Sequence, residues 1–119
     1  MSAPVIVPRS EFYPVKPNTP IRLTVTIGDG QSGATVVTLN GVVVDSGETI
    51  EDLPIGGPGE DLKKKTLECT TTVKDVNPAT NHTSVTYTLR GGVEDKDFSY
   101  DVTVSEAGRA IYDITFFLV

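Results

Sequence analysis

The chain has no tryptophan, one cysteine (Cys69), one histidine (His82) and one glutamine (Gln31). A lone cysteine cannot form an intrachain disulfide, so the fold must be held by its core. A single histidine cannot build a His-rich zinc site. Basic residues are few: 10 Lys and Arg stand against 16 Asp and Glu, for a net charge of −6. Nucleic-acid binding needs cations to neutralise phosphates, and no basic stripe is present. The one basic run, Lys63-Lys64-Lys65, follows Glu60-Asp61 and suits the dipole of a short helical turn. An acidic surface is also repelled by anionic lipid headgroups. No apolar run approaches the roughly 18 residues that a membrane-spanning helix needs. The start, Met1-Ser2-Ala3-Pro4, lacks the basic and apolar regions of a secretory leader. The expectation is cytoplasmic synthesis, with incorporation into a virion or another assembly.

Helix formers are scarce as well, with 5 Ala and 7 Leu. In their place are 16 Val, 16 Thr and 7 Ile, so 39 of 119 residues are β-branched. Such side chains lose rotamer freedom in a helix and pack well on a pleated sheet. One all-β domain follows, because no stretch can supply the crossover helices of an α/β fold.

Five of the eight prolines fall within residues 1–20. Proline cannot donate to a ladder, so this segment is expected to be an arm, with Val5-Ile6-Val7 as one short edge strand. Residues 21–119 form the body. Ile21, Leu23, Val25 and Ile27 alternate with polar residues, the pattern of a half-buried strand. Asn40-Gly41 between two valine-rich runs predicts a tight hairpin, since both turn residues must take positive φ. Residues 46–65 read as irregular, with one helical turn over 60–65. Further strands are expected near 66–74, 83–90, 98–104 and 110–118. Turn signals at this spacing predict a two-sheet antiparallel β-sandwich of seven to eight strands.

Tyr100-Asp101-Val102-Thr103-Val104, followed by a short turn at Gly108 and a final strand, resembles the penultimate strand of immunoglobulin-like and fibronectin III-like modules. The likeness covers about a fifth of the chain. The cysteine pair and core tryptophan of antibody domains are absent. What the resemblance implies is an Ig-like sandwich.

Several motifs touch on chemistry. Gly28-Asp29-Gly30-Gln31-Ser32-Gly33 matches the dinucleotide fingerprint in its letters, but strand sequence follows where a helix N-terminus is needed. A flexible turn is expected there. Cys69 alternates with Leu67 and Val73, which predicts an inert, buried thiol. His82 is expected in an exposed loop, with no partners arranged for catalysis. Asn81-His82-Thr83 is formally a glycosylation sequon. Carboxylates are scattered over loops as a solvated surface, and Glu94, Asp95 and Asp97 are the densest candidates for a calcium site. Threonine rows such as Thr70-Thr71-Thr72 suit solvated strand faces. No cofactor is expected.

The two ends carry the most information. The arm holds Val5, Ile6, Val7, Phe12 and Tyr13, and the chain closes on Ile114-Thr115-Phe116-Phe117-Leu118-Val119. Phe116 and Phe117 face opposite sides of one strand, and a strand apolar on both faces is covered on both. Phe12, Tyr13 and one of these phenylalanines are expected to form one cluster, within the chain or between chains. The sequence therefore predicts a non-enzymatic module working through protein–protein contact or self-association, a structural or assembly component. A carbohydrate- or calcium-binding surface module is the alternative.

Overall fold

A computed structural model describes residues 3–119. Met1 and Ser2, half of the segment read for a leader, lie outside the described residues. Among the described residues nine strands form: β1 (Val5–Tyr13), β2 (Ile21–Ile27), β3 (Ser32–Leu39), β4 (Val42–Gly47), β5 (Ile50–Gly56), β6 (Thr66–Lys74), β7 (His82–Arg90), β8 (Lys96–Thr103) and β9 (Arg109–Leu118). One helical turn, α1 (Gly59–Leu62), precedes β6. The strands build two sheets, ordered β1-β9-β6-β3-β4 and β5-β2-β7-β8. All neighbours are antiparallel except β1 and β9, which run parallel. The protein is an all-β sandwich.

The alternation expected from the sequence selects the core. Leu67, Cys69 and Val73 of β6 lie inside with Tyr112, Ile114, Phe116 and Leu118 of β9. Ile21 and Leu23 of β2 and Val85, Tyr87 and Leu89 of β7 complete the layer from the second sheet. Each large side chain taken from water contributes roughly 1.5–3 kcal/mol. The β3–β4 hairpin turns through Asn40 and Gly41, both at positive φ, as the sequence requires.

Two hydrogen-bonded chains cross the core and tie the sheets together. Thr35 and Thr71 share a bond of 2.9 Å, and Thr71 shares another of 2.6 Å with the Tyr87 hydroxyl. The Thr83 and Tyr112 hydroxyls meet at 2.6 Å, and the Thr83 hydroxyl also donates to the Val102 carbonyl. Thr71 thus points inward, unlike its two threonine neighbours, whose side chains stay on the outer face.

Three expectations need correction. First, proline does not keep the arm from pairing regularly: β1 matches β9 residue for residue from Val5 to Tyr13. Pro8 fits because β1 is an edge strand, and a nitrogen without hydrogen is harmless where it faces away from β9. Second, β5 lies inside a stretch read as irregular. It too is an edge strand, so Pro54 is tolerated, and a register shift against β2 between Leu23 and Val25 hides its period. Third, the segment that carried the immunoglobulin-like resemblance lies on β8, in the sheet opposite β9. In those modules the last two strands share one sheet. Here they do not pair.

The two flanks of the sandwich are closed differently. On one flank, β1 and β8 are joined by the Tyr100 hydroxyl, which donates to the Glu11 carboxylate at 2.5 Å, and by the edge-on rings of Tyr13 and Phe98. On the other flank, the crossover Glu48–Thr49 carries the chain from β4 in one sheet to β5 in the other.

Candidate interaction surface

Parallel pairing of β1 with β9 sorts the residues of the two ends onto two faces. Val5, Val7 and Tyr13 turn toward the core, while Ile6, Phe12 and Phe117 turn out. Phe116 is fully buried, with its ring 5.0 Å from that of Phe98 and 5.9 Å from that of Tyr87. The expected single cluster is therefore two. Tyr13 joins Phe98 and Phe116 inside, and Phe12 meets Phe117 outside with ring centroids 5.5 Å apart. Adjacent residues on a strand point to opposite faces, so Phe12 and Tyr13 cannot share one cluster.

The outer pair is incompletely covered. Phe12 is 67% exposed and Phe117 37% exposed, and Ile6, opposite Ile111 further along the same two strands, is 54% exposed. Between these apolar ends the outer face carries Ser10, Thr115 and the carboxylates of Glu68 and Asp113. Burial, and then the Asp113 charge beside it, hold the Glu68 carboxyl above its ordinary range. One carboxylate oxygen of Asp113 is buried with no hydrogen-bond partner.

Tyr13 anchors β1 to the opposite sheet. Its hydroxyl donates to the Glu94 carbonyl at 2.9 Å and accepts the Gly92 N–H at 3.0 Å. A side chain at position 92 would lie 2.6 Å from the Tyr13 ring, so the contact needs glycine there. Burial raises the Tyr13 phenol above its usual range, with Asp95 and Glu94 adding to the effect.

The three candidate calcium ligands are engaged separately. Glu94 offers its backbone carbonyl to Tyr13, Asp95 accepts from the Gly91 N–H, and Asp97 accepts from the Thr88 hydroxyl. Among the described residues no three His, Cys, Asp or Glu side chains come together as a metal site would require. Cys69 is fully buried, and its surroundings push the thiol up to about 12 through desolvation and then the Glu68 charge. His82 begins β7 rather than sitting in a loop. Its ring meets the Thr103 hydroxyl at 3.0 Å and Asp101 at 3.4 Å on the outer face. Cys69 and His82 belong to opposite sheets and point to different sides, so they form no pair.

Sequence reasoning missed Gln31. The glycine-rich turn that imitates a nucleotide motif places this side chain against the loop 75–81. Its amide donates to the Thr80 and His82 carbonyls, and its carbonyl accepts the Val76 and Asn77 N–H groups. The Asn77 amide returns a bond to the Asp29 carbonyl. The sole glutamine in a turn of small residues was the only signal available.

No family model, curated protein or solved structure matches this chain.

Proposed function

We propose that the protein is a non-enzymatic β-sandwich module that works through protein–protein contact, as a structural component of an assembly such as a virion or a surface array. The observation that carries this reading is the Phe12–Phe117 pair, two aromatics in tilted contact left open on the outer face of an edge strand pair. Large apolar side chains grouped at a sheet edge mark a surface meant to be covered. Ile6 extends that surface along the same strand. The likeness to immunoglobulin-like modules enters here only as architecture, a sandwich that presents its edges to partners.

Light scattering of the parent and of a Phe12→Ser/Phe117→Ser variant tests the reading. The parent is expected to gain mass with concentration, or to bind an assembly partner, and the variant to lose this while keeping its circular dichroism. A parent that stays monomeric at millimolar concentration, and an assembly that incorporates the variant as readily, would refute it.

A further inference from the structure

A different part of the molecule is unfinished in a more specific way. β2 pairs with β5 only as far as Val25–Ile50, so Thr26 and Ile27 have no neighbour on that side among the described residues. β3 pairs with β4 only from Thr35–Gly47 onward, so Ser32, Gly33 and Ala34 are likewise without a neighbour. The chain leaves one sheet at Gly47 and enters the other at Ile50, which vacates both slots together. Between these two short free edges lies an open cleft of about 520 Å³, lined by Val25, Ile27 and Ile50 below and by Glu48 and Glu51 at the rim.

Burial along β2 reports the same gap. Ile21 and Leu23, on the half flanked by β5, are fully buried. Val25 and Ile27 face the same interior but are only half-buried. On the opposite flank Tyr100 bonds to Glu11 and the Tyr13 ring packs edge-on against Phe98.

We propose that this cleft receives an extended segment of another polypeptide, added as a short strand to the Ser32–Ala34 edge of β3 in the line that β4 leaves at Gly47. Unpaired backbone N–H and C=O groups at a sheet edge are satisfied by a strand and by little else of that shape. Three residues of free edge span about 10 Å, enough for three or four residues of guest. The guest's inward side chain is apolar, since it completes the cover over Val25 and Ile27. Its outward side chain is basic, because Glu48 and Glu51 supply the only charges among the cleft's lining residues. The site uses none of the Phe12–Phe117 face and stands apart from the function proposed above.

The test is an amide NMR titration of the full chain with a blocked heptapeptide of alternating lysine and valine. Shift changes are expected at Thr26, Ile27, Ser32, Gly33 and Ala34. The same peptide with N-methylated valines, which cannot pair as a strand, is expected to leave them in place. A Glu48→Lys/Glu51→Lys variant, altered only at exposed side chains, is expected to bind at least tenfold more weakly. The proposal would be overturned by no response at millimolar peptide, by equal binding of the N-methylated peptide, or by shifts centred on β1 or β8. Movement of the same amides on concentrating the protein alone would show a second copy as the occupant, and would also overturn it.

Discussion

The backbone N–H of Gly92 donates to the hydroxyl of Tyr13, 79 residues earlier in the chain, and so fixes the first strand to the opposite sheet. Beside it, Phe12 makes no such tie and stays 67% exposed. Tyr13→Phe is expected to cost about 1–3 kcal/mol by leaving the Gly92 N–H and the Glu94 carbonyl unpaired. Tyr13→Ala adds a cavity and should cost roughly 3–5 kcal/mol. Phe12→Ser should stay within about 1 kcal/mol of the parent, because its ring is largely exposed on the outer face. Urea unfolding of the three variants checks this order.

The Thr35–Thr71–Tyr87 chain predicts a coupled response. Thr71→Val removes the partner of a buried phenol and is expected to cost about 1–3 kcal/mol. With Thr71→Val and Tyr87→Phe combined, the loss should be smaller than the sum of the two single losses. Once the middle and one end of the chain are gone, only Thr35 is left to be satisfied. A double-mutant cycle measures the difference.

Gln31 can be probed by charge. Gln31→Glu keeps the acceptor for Val76 and Asn77 but turns an oxygen toward the carbonyls of Thr80 and His82, where an amide now donates. The variant should be less stable than the parent at pH 7 and recover part of the loss near pH 4, as the new carboxyl is protonated. Hydrogen exchange at Val76 and Asn77 should quicken in Gln31→Ala, which lacks the acceptor altogether.

Cys69 ties stability to alkaline pH. Its thiol is held up to about 12 in the folded chain against an ordinary value of 9.0. The contribution is complete below about pH 9, where both states keep the proton. It is lost as pH rises toward 12, because only the unfolded chain then releases it. Cys69→Ala should reduce the fall in stability over that range, where one proton corresponds to a slope approaching about 1.4 kcal/mol per pH unit. Native thiol labelling should be slow at pH 8 and become fast only on unfolding.

Glu68 and Asp113 share the outer face as two carboxylates with no cation between them on their strands. Asp113→Asn removes the like charge and supplies a donor toward Glu68. It is expected to raise stability at pH 7 by a few tenths of a kcal/mol, a size set by the exposure of the site. The gain should vanish at pH 3, when Glu68 is protonated in both proteins.

Much of the fold was legible in the sequence because side-chain period and turn chemistry are local. The β-branched bias, the alternation of Leu67, Cys69 and Val73, and the Asn40-Gly41 turn each carry their meaning within a few residues. Burial of Cys69 followed from the same alternation, whereas which of Phe116 and Phe117 turns inward did not. What period two cannot say is which strand lies beside which. Only the tertiary structure paired β1 with β9 in parallel, and that pairing set Phe12 outside and Tyr13 inside. Only it gave Gln31 four partners, three from the loop 75–81 and one at the start of β7. The prolines of residues 1–20 argued for an arm, yet Pro8 sits in a regular strand, as Pro54 does, because an edge has one side that needs no donor. The open stretch between β2 and β3 was invisible for a related reason. A free sheet edge is a missing neighbour, and residues carry no mark of the strand that is not there.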